Sequence, residues 1–170
     1  TATTVSGVSG FPTSPTPWAA VVHPNGTLGA VLVNFTDTTA KTLIAFVDPT
    51  TGAYLASKLL VGADIAASAV VWTNQALWIA KGAILHYIPT PVSAGVATVD
   101  SPTSLTVAQA PGSASGALTA ASSITGLCQY VDAAGDTYLY ACFQGATAAG
   151  SYANPPGLIT TGGYAKHFRA

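Results

Sequence analysis

The stretch 70–89, Val-Val-Trp-Thr-Asn-Gln-Ala-Leu-Trp-Ile-Ala-Lys-Gly-Ala-Ile-Leu-His-Tyr-Ile-Pro, constrains the fold more than any other. Its apolar runs at 70–72, 76–80 and 83–88 are separated by two short breaks, at 73–75 and at Lys81-Gly82. A Gly at the second position of a two-residue break supplies the positive φ that tight hairpins need. The runs carry aromatic and aliphatic residues on both alternating faces. A half-exposed meander would alternate apolar with polar, so these strands must be covered on both sides. Small antiparallel sheets stacked face to face, as in a β-propeller, meet that demand.

The rest of the chain follows the same plan. Residues 18–22, 28–35, 42–47 and 53–60 read as one four-stranded meander, with turns at His23-Pro-Asn-Gly-Thr and Asp48-Pro-Thr-Thr-Gly. A second meander covers 65–72, 76–80 and 83–88, with a weaker strand near 105–109. A third begins at 123–131 and 137–143 and continues through 158–161 and 165–169. No segment shows sustained helical periodicity. The expected fold is therefore all-β, with about three four-stranded antiparallel meander sheets arranged as propeller-like blades. A β-sandwich is the alternative. Residues 1–17, rich in Thr and Ser with Pro12, Pro15 and Pro17, read as an arm or linker; 18–170 reads as the β-propeller-like domain.

Charged residues make up only 6% of the 170, the net charge is −1, and there is no Glu. An average domain is roughly 25% charged. This balance gives no electrostatic case for nucleic acid or anionic lipid. Asn, Thr, Gly and Lys interrupt every apolar run before it reaches the roughly 18–20 residues of a membrane helix, so no membrane span is expected. Solubility must then come from hydroxyls, attached sugars or burial against neighbouring subunits. Thr1 is not an initiator residue, so a processed chain or part of a longer one is expected. Two N-glycosylation sequons, at Asn25 and Asn34, suit an extracellular or cell-surface protein; both are expected at strand rims.

Cys128 and Cys142 flank a strand, turn, strand segment. Folding it about Gly135 places Val131 opposite Leu139 and Cys128 opposite Cys142, within disulfide reach. Closing that loop of about 15 residues would contribute on the order of 3 kcal/mol. Two buried free thiols are the other reading.

The segment Thr125-Gly-Leu-Cys-Gln-Tyr-Val-Asp-Ala-Ala-Gly-Asp-Thr-Tyr-Leu-Tyr-Ala-Cys-Phe-Gln-Gly resembles a hairpin of the β-propeller phytases, six-bladed calcium-dependent enzymes that hydrolyse inositol phosphates. Ala76-Leu-Trp-Ile-Ala and Ile84-Leu-His-Tyr-Ile are similar to the blade that precedes it there. The resemblance covers 18–152 and implies about three blades. It does not carry the chemistry across. The family's calcium and phosphate sites are rich in carboxylates; here Thr125 replaces a Glu, and Lys81-Gly82 replaces an acidic cluster. Asp132 and Asp136 flank one turn, so calcium is conceivable there. Asp37, Asp48, Asp64, Asp100, Asp132 and Asp136 read better as turn formers.

Other constellations are weak. His23, His86 and His167 lack metal-ligand spacing, and Lys41, Lys58, Lys81 and Lys166 are too dispersed for a phosphate cluster. No catalytic residue and no bound cofactor is expected. Trp18, Trp72 and Trp78 read as core, with sugar stacking as the alternative. Three blades leave open edges. The expected function is a non-catalytic extracellular structural or adhesive protein that works as a homo-oligomer or within a larger assembly. The alternatives are a phytase-like calcium-dependent phosphoesterase fragment and a carbohydrate-binding module.

Overall fold

A computed structural model describes residues 16–36, 38–61, 66–82, 84–101, 103–106, 123–135, 137–144 and 163–169. Among these residues every regular element is a strand, and every pairing is antiparallel. The all-β expectation holds.

The first sheet is the anticipated meander: β1 (Thr16–Val22), β2 (Gly29–Thr36), β3 (Ala40–Val47) and β4 (Tyr54–Leu60), hydrogen-bonded in that order. β1 starts two residues inside the segment read as an arm, with Thr16 opposite Asn34 and Pro17 opposite Val33. An edge strand tolerates Pro17 because one side of it needs no N–H.

The second sheet contains β5 (Ala67–Trp72), β6 (Ala76–Lys81), β7 (Ile84–Pro89) and, across a long connection, β10 (Thr103–Thr106), in the order β10-β7-β6-β5. Lys81 pairs with Ile84, so Lys81 belongs to the ladder and the tight break is not Lys81-Gly82. Gly82, at φ 61°, takes the first turn position instead of the second. Between β7 and β10 lies a small hairpin that the sequence reading missed, β8 (Val92–Ser93) and β9 (Val96–Ala97). Its two turn residues, Ala94 and Gly95, both have positive φ, at 50° and 80°. Ala is a poor residue at such a position, which hid the turn.

The third sheet is β11 (Ser123–Val131), β12 (Thr137–Gln144) and β13 (Gly163–Arg169). The strand expected at 158–161 lies outside the described residues. The hairpin register differs from expectation by two residues: Val131 faces Thr137, Cys128 faces Tyr140, and Cys142 faces Gly126. The turn closes at Asp132, whose carbonyl accepts the Gly135 N–H at 3.0 Å, with Gly135 at φ 86°. Gly135 thus ends the turn in the left-handed region and does not lie at its centre. Cys128 is free and exposed.

Strand alternation explains where the core sits. Along β2 and β3, Ala30, Leu32, Ile44 and Phe46 share one face; along the second sheet, Trp72, Leu77, Ile79 and Ile88 share another, and all eight pack in one cluster. Residues that alternate to the opposite faces, among them Leu43 and Ala45 in the first sheet and Ala80 and Leu85 in the second, are buried as well. β11 runs against β5 and β6, where the Ile124 N–H donates to the Gly82 carbonyl at 2.9 Å. Both sheets are therefore apolar on two faces, as the sequence demanded. Among the described residues, no ladder joins one of these sheets to another.

Candidate functional site

Two regions concentrate unusual chemistry: the seam between the first and second sheets, and the open edge at β4. The seam is fastened by polar groups at both ends of its apolar cluster. At one end Asn34, inside β2, reaches the backbone of Ala67 at the start of β5. Its amide nitrogen donates to the Ala67 carbonyl at 2.9 Å, and its oxygen accepts the Ala67 N–H at 3.2 Å. Thr42, opposite Asn34 on β3, donates its hydroxyl to the same oxygen at 2.8 Å. Opposite Ala67 in the β5–β6 ladder, Lys81 has 0% exposure and donates from Nζ to the carbonyl of Ala40 at 2.8 Å. A buried ammonium is tolerated only where such acceptors receive it. His86 lies on the same face of the second sheet, since Lys81 faces Ile84 and Ile79 faces His86. Its pKa is held below the ordinary histidine value, first by burial and then by the Lys81 charge.

At the other end, the first turn holds the β8–β9 hairpin. The Asn25 oxygen accepts from the Thr27 N–H at 3.0 Å and from the Thr27 hydroxyl at 2.9 Å. Nδ1 of buried His23 lies 2.7 Å from that oxygen and 3.1 Å from the Asn25 backbone nitrogen. The Asn25 amide nitrogen then donates to the Gly95 carbonyl at 3.2 Å, and Ala97 donates its N–H to the Thr27 hydroxyl at 3.0 Å. The His23 ring meets Trp72 edge-on with centroids 5.4 Å apart, while its Nε2 is buried with no hydrogen-bond partner. Trp72 donates Nε1 to the Thr90 hydroxyl at 3.0 Å.

The sequence-derived site residues therefore separate. Asn25 is exposed on a turn, as expected. Asn34 is half-buried within a strand ladder and not at a rim, because its amide completes the Ala67 backbone. The shifted register makes Cys128 and Cys142 diagonal neighbours, roughly 7–8 Å apart at Cα, beyond the usual disulfide window. Asp48 accepts the N–H groups of Thr50 at 2.7 Å and Thr51 at 3.1 Å, which holds its carboxyl below the usual range. Asp132 likewise accepts the Ala134 N–H at 2.9 Å, so both act as turn formers. Asp37, Asp64 and Asp136 lie outside the described residues. Trp72 is buried, while half-buried Trp78 stacks on Tyr87 with centroids 5.1 Å apart and rings tilted by 30°. A shallow depression of about 340 Å³ is lined by Asn74, Gln75, Pro89, Pro91, Val92 and Asp100.

The β4 edge is the opposite of the seam. Leu55, Leu59 and Val61 are 54%, 41% and 58% exposed, and Tyr54 is exposed beside them. β3 covers one side of β4, and among the described residues no strand pairs with the other side, which is the edge of the sheet. An edge of this kind offers unpaired N–H and C=O groups flanked by apolar side chains, which can template another strand. Sequence reasoning placed β4 within a meander but had no means of showing that it is an edge.

Compared with known proteins, the chain matches no family model and no curated protein sequence. No helix among the described residues is long and apolar enough to cross a membrane.

Proposed function

We propose that this chain is a non-catalytic structural or adhesive protein of the cell exterior that works by assembling with copies of itself or with neighbouring subunits, its sheets packed as propeller-like blades. The observation that carries this reading is the open β4 edge, where Leu55, Leu59 and Val61 face solvent in a chain with only 6% charged residues. Exposed apolar side chains along a free strand are unfavourable for an isolated subunit and favourable for one that pairs. A glycan on Asn25 suits the reading, because an N-linked sugar leaves one amide hydrogen for the Gly95 carbonyl. A glycan on Asn34 would have to displace the Ala67 contacts. Light scattering of the full chain from nanomolar to tens of micromolar tests the assembly. Growth in mass with concentration is the expected result; a monomer throughout, with a cooperative melt, overturns it.

A carbohydrate-binding role is favoured by one observation, the half-buried Trp78–Tyr87 pair. Glycan-array binding abolished by Trp78→Ala would establish it, and no binding by the unaltered chain would remove it. Trp72, buried and bonded to Thr90, is excluded as a platform.

A further inference from the structure

The backbone of β4 specifies how its free side can be used. Asp48 donates its N–H to the Ala53 carbonyl at 2.9 Å, which directs the amide of Asp48 toward the β4 side of the hairpin. By alternation along β3, Phe46, Ile44 and Thr42 also turn their N–H and C=O toward β4, opposite Ala56, Lys58 and Leu60. Ser57 and Leu59, opposite Ala45 and Leu43, therefore turn theirs to the open side. Leu55 is the extra residue of a bulge, since Val47 faces Tyr54 and Phe46 faces Ala56. Its side chain is 54% exposed.

We propose that β4 pairs antiparallel with β4 of a second copy of this chain, across a two-fold axis at Ser57. This rests on the assembly reading above and names its partner and register. The edge is self-complementary about that point. The Ser57 residues of the two copies exchange their outward N–H and C=O groups. Leu59 of each copy comes opposite Leu55 of the other, covering on both sides of the axis two side chains that are exposed in the single chain. Lys58, the only charged residue of the strand, comes opposite Ala56 and not opposite itself. A net charge of −1 leaves little repulsion between copies. A two-fold interface uses the same patch twice, and this patch fits itself. Other registers lose this match: an axis at Lys58 sets the two ammonium groups face to face, and an axis at Ala56 uses groups already bonded to β3.

Cysteine bridging in the full chain reads out the register. Opposed Cα atoms on paired strands lie within the disulfide window, whereas positions four residues out of step are roughly 13 Å apart. Under mild oxidation Ser57→Cys should form a 57–57 bridge between chains, with a yield at least about fivefold above a Thr51→Cys turn control, as expected for opposed positions. Leu55→Cys alone and Leu59→Cys alone should stay at the control level, while a mixture of the two should bridge 55 to 59. Peptide mapping separates these products from any bond to Cys128 or Cys142. If an oligomer forms but Ser57→Cys bridges no better than the control, the register is wrong and the assembly reading survives. If the unaltered chain stays monomeric, both fall. Should oxidation disturb the fold, a Leu55→Glu chain mixed with a Leu59→Lys chain gives the same answer: heterodimer formation supports the register, and indifference to the swap overturns it.

Discussion

The seam and the β4 edge are built from similar residues and treat them in opposite ways. At the seam, Asn34 and Lys81 complete backbone groups of a facing sheet, and the apolar side chains beside them are sealed. At β4, the backbone groups of Ser57 and Leu59 point outward and the leucines lie in solvent. Burial in this chain is thus decided by what lies across from a strand, and not by its own hydrophobicity. The seam is where stability should reside; the edge should matter for association.

The largest expected effect belongs to the seam's apolar core. Phe46→Ala removes a fully buried ring that meets Trp72 edge-on at 6.2 Å, and should cost about 3–5 kcal/mol in denaturant unfolding. A loss below about 1 kcal/mol would mean that the two sheets do not share a core.

Next comes the polar fastening. Asn34→Leu leaves the N–H and C=O of Ala67 without their side-chain partner, and should cost about 1–3 kcal/mol. Amide exchange at Ala67 should accelerate with it, while exchange in β4 stays as it was. Equal acceleration in both places would erase the distinction between seam and edge.

Acid should act on the seam in the same direction. His86 has a folded pKa lowered by burial and by Lys81, so below about pH 6.5, its ordinary value, the unfolded chain binds a proton that the folded chain resists. Stability is therefore full above that pH and falls as pH drops toward the folded pKa. Asp48, also lowered, withdraws its contribution only below its ordinary value of 3.8. Denaturant midpoints measured between pH 7.5 and 5 should decline, and His86→Phe should flatten that slope. An unchanged slope in the variant would place the titrating group elsewhere.

Much of the fold was legible because period-two apolar runs, Gly82, Gly135 and the Asp48 turn mark strands and their ends with local chemistry. The errors were also local. Folding the Cys128 hairpin about Gly135 assumed that the glycine is central, whereas a left-handed residue can close a turn from its last position. The Ala94-Gly95 hairpin was missed because its first residue gives no turn signal. The candidate site was less legible. Asn34 reads as a sequon because Thr36 follows it, and its contact with Ala67 spans 33 residues, which no local pattern carries. Leu55 and Leu59 look like core leucines until the sheet order shows that, among the described residues, no strand of this sheet lies beyond β4.

The smallest expected effect tests the comparison most directly. Leu43 and Leu59 face each other in the β3–β4 ladder and share one face of the first sheet, yet one is 2% and the other 41% exposed. Thr keeps strand propensity while removing apolar volume and adding a hydroxyl. At submicromolar concentration, where association is suppressed, Leu59→Thr should change unfolding stability by no more than about 0.5 kcal/mol, as for surface substitutions generally. Leu43→Thr buries an unbonded hydroxyl in the space of a methyl group and should cost about 2–4 kcal/mol. Raising the concentration into the assembling range should then reverse their order of interest: Leu59→Thr should weaken association, and Leu43→Thr should leave it unchanged wherever the chain remains folded. If both variants lose equal stability when dilute, β4 is covered within a single chain and the edge is not open.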